Sequence, residues 1–279
     1  MITLVKIYAR IHEFFHNKLN INLRGLGFLY RRIQHDFIFE IKGKKMFFNH
    51  RIADNYGRLL GNRFNEPETH IFLNLVFNMA PKNSIHFVDI GANIGEFLLD
   101  YADHQSVCHL TAFEPQPEQH KVLLKSIELN QFTKATVVPK PVAESTKEIL
   151  FNFNTNNSTA SGITQDKSKG TLIESTSIDE YFTNTEAAHF VFLIDTEGAE
   201  LDIMRGGKNL IAQKAPLIIF EYNHVTRKHF KIEEVQSFLG DQYRIYKIQQ
   251  DGTLSNHLEK SWNLVAIPNR APFNSLYNY

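Results

Sequence analysis

Ile85-His86-Phe87-Val88-Asp89-Ile90-Gly91-Ala92-Asn93-Ile94-Gly95 is the stretch that decides the fold. An unbroken apolar run that ends in an acid and a glycine turn reads as a strand buried on both faces of a parallel sheet. A helix through Phe97, Leu98 and Tyr101 follows it. Outward from there the pattern repeats. A strand over 107–113 ends at Glu114-Pro115, a helix spans 117–129, a strand lies at 135–138 and a hairpin continues through 147–153. A further buried strand covers 191–195, then a helix runs to about residue 212 and a strand occupies 216–222. Strand alternating with helix at this spacing predicts an α/β fold with a Rossmann-like, doubly wound sheet. Such sheets bind ligands beyond the carboxyl ends of their strands. Asp89, Glu114, Asp195 and Glu221 all fall at predicted strand ends, so four acids share one rim.

That rim constrains the ligand. The turn reads G-x-N-x-G and lacks the third glycine of the G-x-G-x-x-G turn that seats a pyrophosphate on a helix N-terminus. Asp89, directly before the turn, repels a phosphate and suits a cation. Glu114, at the end of the second strand, offers two acceptor oxygens to the two hydroxyls of a ribose. S-adenosylmethionine has an ammonium and a sulfonium, a ribose and no phosphate, so it satisfies both demands. An NAD-dependent or nucleotide-sugar oxidoreductase is the rival within this fold class, but it needs the missing phosphate turn. A scaffold that keeps a cofactor pocket without catalysis is a second rival.

Three motifs then coincide. Val88 to Phe97, Ala112-Phe113-Glu114-Pro115 and Ile194-Asp195-Thr196-Glu197-Gly198-Ala199-Glu200 together resemble the successive signatures of the FkbM family of S-adenosylmethionine-dependent O-methyltransferases. The resemblance covers roughly residues 66–223 and implies a methyltransferase sheet. It also implies O-methylation of hydroxyls, on polyketide-like molecules or on the sugars of glycans and glycolipids. Carried over to this chain, it implies cofactor contacts from Asp89, Gly91, Asn93, Gly95, Glu114, Pro115 and Asp195, with Glu68 reaching cofactor or acceptor.

Methyl transfer to a hydroxyl is an in-line displacement that needs alignment and removal of a proton. Asp195 is the first candidate base. His224, just past the Glu221 strand end, is the second, because imidazole titrates near neutrality. Glu197 and Glu200 either orient Asp195, bind acceptor hydroxyls or open the following helix. Three or four carboxylates also suit Mg²⁺, although no metal ligand is assigned from sequence.

The flanks carry less. The chain of 279 residues has 30 Lys+Arg and 30 Asp+Glu, which argues against a general attraction to nucleic acid. The balance is uneven, with twelve basic against six acidic residues over 1–80. Residues 1–65 read as an extension built from a basic amphipathic helix and a hairpin, and 66–279 as the methyltransferase domain. The helix, over 1–19, sets Leu4, Ile7, Ile11 and Phe15 beside Lys6, Arg10 and Lys18. It would pack on the body or on a second copy of the chain, or lie on an anionic membrane surface. His12-Glu13-Phe14-Phe15-His16 fits the H-E-x-x-H zinc pattern, but it precedes any sheet and its phenylalanines suit packing. The hairpin is expected over 36–50 around Lys42-Gly43-Lys44. Residues 152–170, rich in Asn, Ser and Thr, read as a surface loop. One cysteine, Cys108, excludes a disulfide framework, and no apolar stretch approaches the ~20 residues of a membrane span. The start lacks a signal-peptide pattern, so the expected location is the cytoplasm, with contact at the inner membrane face as the alternative.

Overall fold

The computed structural model describes residues 32–278 other than 154–160, 165, 169 and 260, together with Ile7 and Ile11. Ile7 and Ile11 are helical and exposed. The rest of the expected basic helix, with His12, Glu13 and His16, lies outside the described residues.

The hairpin forms as expected. Strands β1 (Phe37–Ile41) and β2 (Lys44–Phe48) pair antiparallel across Lys42-Gly43, both with positive φ (47° and 81°). Phe39, Ile41, Met46 and Phe48 are buried while Ile38 and Glu40 are exposed, the alternation that period-2 side chains give a half-covered sheet. The buried face joins the core of the main body. Asn130 fixes the junction, donating from Nδ2 to the Lys45 carbonyl at 2.6 Å and accepting from its N–H at 2.8 Å. Residues 32–65 thus fold against the main sheet and share its core.

The alternation continues with α1 (Pro67–Met79), β3 (Ile85–Ile90), α2 (Glu96–Tyr101), β4 (Val107–Phe113), α3 (Pro117–Asn130) and β5 (Ala135–Val138). After an insertion come α4 (Ile178–Tyr181), β9 (His189–Ile194), α5 (Glu200–Arg205), α6 (Lys208–Lys214) and β10 (Leu217–Glu221). Strands β5, β4, β3, β9 and β10 run parallel in that spatial order. Successive strand residues serve opposite faces. Phe87, Val191, Leu193 and Ile219 join one core with α1, α2 and α3. Val88, Phe190, Phe192, Ile218 and Phe220 join the other, with α5, α6 and α7 (Ile232–Leu239). Each such fully buried side chain contributes about 1.5–3 kcal/mol of burial free energy. The sheet is therefore wound on both faces.

Three features depart from the sequence reading. The helix expected to reach residue 212 is two helices, α5 and α6, broken at Gly206-Gly207. Close packing requires glycine at the break: a Cβ on Gly206 would stand 2.4 Å from the Ala143 carbonyl oxygen. The expected hairpin at 147–153 is instead part of a separate three-stranded sheet, β7 (Gly162–Ile163), β6 (Glu148–Asn152) and β8 (Thr171–Glu174). It takes in part of the stretch read as a loop. Finally, β11 (Tyr243–Ile248), β12 (Leu254–Ser255) and β13 (Asn263–Pro268) extend the sheet beyond β10. β13 lies between β10 and β11, antiparallel to both. A reversed strand at this place separates the sheet from the all-parallel 3-2-1-4-5-6 order of dinucleotide folds.

Candidate active site

From β3 the chain winds to one side through β4 and β5, then returns to β9 on the other side. The crevice at the carboxyl ends of β3 and β9 is the switch point where such sheets bind ligands. A cleft of about 760 Å³, open solvent at its mouth included, lies here. Gly91, Asn93, Glu114, Pro115, Asp195 and Glu197 line it, and Phe151, Ser161, Gly162 and Ile163 of the inserted sheet cover it.

The turn after β3 is shaped by its glycines. Gly91 has φ 90°, and a Cβ there would meet the Asp195 carbonyl oxygen at 1.9 Å. The backbone must pass that close to β9 for the crevice to open, so only glycine fits. Gly95 also has a positive φ and sits against Leu123, away from the cleft lining. Asn93, in the left-handed region, gives its N–H to Glu114 Oε2 at 2.9 Å. Gln116 N–H holds the other oxygen at 2.8 Å. Both Glu114 oxygens are fixed, and each keeps a second lone pair for a ligand hydroxyl. Burial raises the Glu114 carboxyl to about 7.

Asp89 occupies the last-but-one position of β3, is buried, and does not line the cleft. Its Oδ2 has no hydrogen-bond partner. Burial first, and then the charges of Asp195, Glu114 and Glu96, push its carboxyl well above the usual range. Asp195, half-buried just after β9, is raised by burial and by the neighbouring Glu197 and Glu200. Glu221 ends β10 almost fully buried, and its carboxyl is raised by burial and by Asp195, whose carboxylate lies within 4.8 Å of its own.

Glu200 is neither a surface acid nor a cleft residue. It is fully buried, and its Oε1 accepts from the Thr196 N–H (2.9 Å), the Thr196 hydroxyl (3.0 Å) and the Gly198 N–H (3.1 Å). It closes the 196–200 loop that carries Asp195 and Glu197. Glu68 is half-exposed in the first turn of α1 and does not line the cleft. The acid of this segment that feels Asp195 is Glu66, raised well above the usual range by burial and then by Asp195 and Glu96. Asn263 Nδ2 donates to its Oε2 at 2.5 Å. Sequence reading missed Glu66, because its partner is 197 residues away. His224 is exposed beyond β10. The imidazole that meets the acidic loop is His229, whose ring would stand 2.6 Å from a Cβ on Gly198. It too was missed, since nothing local in the sequence distinguishes it from the other histidines.

Parallel strands wound on both faces, a reversed strand inserted beside β10 and an acidic cleft at the switch point define a Rossmann-like methyltransferase. The Methyltransferase FkbM domain model matches residues 89–247, more than half of the chain, and the chain belongs to that family. Among solved structures it is similar to the methyltransferase FkbM from Methylobacillus flagellatus KT, with 15% identity and a TM-score of 0.50. That match covers 78% of this chain and 53% of the other, so the chain spans about half the length of that protein. It is also similar to M. jannaschii TYW2 in complex with AdoMet (11% identity, TM-score 0.42, 88% and 87% covered). An rRNA methylase from Streptococcus thermophilus matches at 10% identity and TM-score 0.44, with 74% and 98% covered. At these identities the likeness is one of fold. Comparison with curated proteins gave no match.

Family membership sets aside the oxidoreductase alternative, and the cofactor is S-adenosylmethionine. The residues fit it. The raised carboxyls of Glu114 and Asp195 in the cleft wall are favoured in their ionised form by a cationic ligand, and Glu114 is held ready for two hydroxyls. Glu114→Ala is expected to weaken S-adenosylmethionine binding by ~1–3 kcal/mol through the lost hydrogen bonds to a charged group. Calorimetry measures it, and an unchanged affinity would remove Glu114 from the ribose site.

Proposed function

We propose that the protein is an O-methyltransferase that methylates a hydroxyl of a sugar in a glycan or glycolipid. The observation that carries this reading is the group of carboxylates beside the cleft, with Asp195 and Glu197 in its wall and Glu221 within 4.8 Å of both. A neutral hydroxyl attacks a methyl group only as its proton leaves, and a desolvated carboxylate is a stronger base than one in water. The bound cofactor supplies an electrophilic methyl group. Asp195 accepts the hydroxyl proton, Glu221 steadies Asp195, and Glu197 accepts hydrogen bonds from further hydroxyls. A polyol suits a wall of acceptors. A nucleic acid does not, because its phosphates would meet a cluster of acids.

The inserted sheet adds Phe151 and Ile163 to the cleft lining, apolar surface beside the acidic wall. No helix among the described residues is long and apolar enough to cross a membrane. Incubation with cofactor labelled in the methyl group, against panels of oligosaccharides, glycolipids, polyketide-like alcohols and RNA, tests the reading. Base-stable label is expected in the carbohydrate fractions. Label confined to the polyketide-like or RNA arms would overturn it.

A further inference from the structure

Asp195, Glu197 and Glu221 each present a carboxylate oxygen, and the three oxygens lie within 4.8 Å of one another. They come together because the chain ends β9 and β10 side by side. The turn after β9 then puts Glu197 in the left-handed region at φ 58°. A non-glycine residue held there is strained backbone, of the kind that persists where the surroundings fix it. Among the described residues no Lys, Arg or His forms an ion pair with any of the three.

A cluster of acids alone is a weak sign, but Glu221 adds a second one. It is 2% exposed, and its Oε2 has no hydrogen-bond partner. Its other oxygen is held by the Asn223 amide. That amide is itself oriented, because its Oδ1 accepts from the N–H groups of Val225 (2.6 Å) and Thr226 (3.2 Å). The carboxylate is thus locked from behind and left bare on one oxygen. Outer contacts of this kind orient metal ligands.

We propose that Asp195, Glu197 and Glu221 bind one divalent cation of the oxygen-preferring class, Mg²⁺ or Mn²⁺, at the wall of the cofactor cleft. The donor set is all carboxylate oxygen, which selects hard cations over zinc. Two oxygens on one Mg²⁺ stand about 3–4 Å apart for bond lengths of about 2.0–2.1 Å, so the three ligands need only small adjustments to share an ion. Three protein ligands leave positions for an oxygen of the acceptor, while the free oxygen of Asp195 can still take its proton. Only that last role rests on the O-methyltransferase reading; the ion site stands without it.

The test is Mn²⁺ titration of the full chain without cofactor, following the loss of the free-ion paramagnetic resonance signal. One Mn²⁺ per chain is expected, displaced by excess Mg²⁺, with affinity at least tenfold weaker in Glu221→Gln and in Glu197→Gln. Asp202→Asn, an exposed acid paired with Arg205, should bind as the parent does. Calorimetry of S-adenosylmethionine binding on the same samples reports folding and the methyltransferase reading separately. Variants that keep cofactor and Mn²⁺ affinity alike would overturn the site. So would a parent protein that binds cofactor and no Mn²⁺ at millimolar concentration, which would leave a proton shared between Asp195 and Glu221 in the place of the ion.

Discussion

Asp195→Asn is expected to reduce turnover by on the order of 10²–10⁴ while S-adenosylmethionine affinity stays within a few-fold. The amide has nearly the shape of the carboxylate, so the cleft wall and the crossing of Gly91 over the Asp195 carbonyl are kept. The amide nitrogen carries no lone pair fit to receive a proton, so the variant has no base at this position. Burial and two neighbouring acids raise the Asp195 carboxyl above its ordinary value, which makes its ionised form a better proton acceptor. His224→Ala is the companion variant. His224 is exposed past the end of β10, so its removal is expected to leave turnover near that of the parent. Turnover abolished by His224→Ala and spared by Asp195→Asn would transfer the role of base to the imidazole. Single-turnover kinetics at saturating cofactor separates these outcomes from slow product release.

The parts of this site that were legible in the sequence are those made by short-range pattern. The strand 85–90 could be read because burial on both faces demands an unbroken apolar run, and the turn because Gly91 and Gly95 both stand at positive φ. The acids at strand ends followed from the same registers. What could not be read depends on contacts between distant segments. Glu66 looks like any acid before a helix until Asn263, in the reversed strand β13, comes to bind it. β13 is absent from the sequence reading altogether; it is buried throughout, and its pairing with β10 and β11 gives its direction. Glu200 had the residue type and position of a first-turn helix acid, yet the three donors of its own loop draw it inward. The cover over the cleft was hidden for a different reason. Its strands are two to five residues long, too short for a periodic signal.

Glu114→Gln is expected to stabilise the cofactor-free protein relative to its parent by an amount that grows with pH, by on the order of 2 kcal/mol between about pH 5 and 8. The folded carboxyl is raised from 4.5 to about 7 by burial, against the opposing help of the Gln116 and Asn93 N–H groups. Between those two values the native chain holds a proton that the unfolded chain has released. Stability from this group is therefore complete below about pH 4.5, declines as pH rises, and is lost once pH passes about 7. Glutamine keeps the size of the side chain and never ionises, so the variant escapes that decline. It also loses one acceptor for a backbone N–H, which lowers its stability by an amount independent of pH. Other groups pull the absolute curve in other directions. His86, lowered to about 4 by burial, destabilises the fold as pH falls below its ordinary value of 6.5. Those contributions are common to both proteins and cancel in the difference, so paired denaturant titrations at several pH values are the measurement. Saturating S-adenosylmethionine should flatten the parent's curve, because ribose hydroxyls bonded to Glu114 favour its ionised form. A difference that stays constant from pH 5 to 8 would mean that Glu114 is ionised throughout in the folded protein, and that its buried carboxylate does not wait for the ligand to compensate its charge.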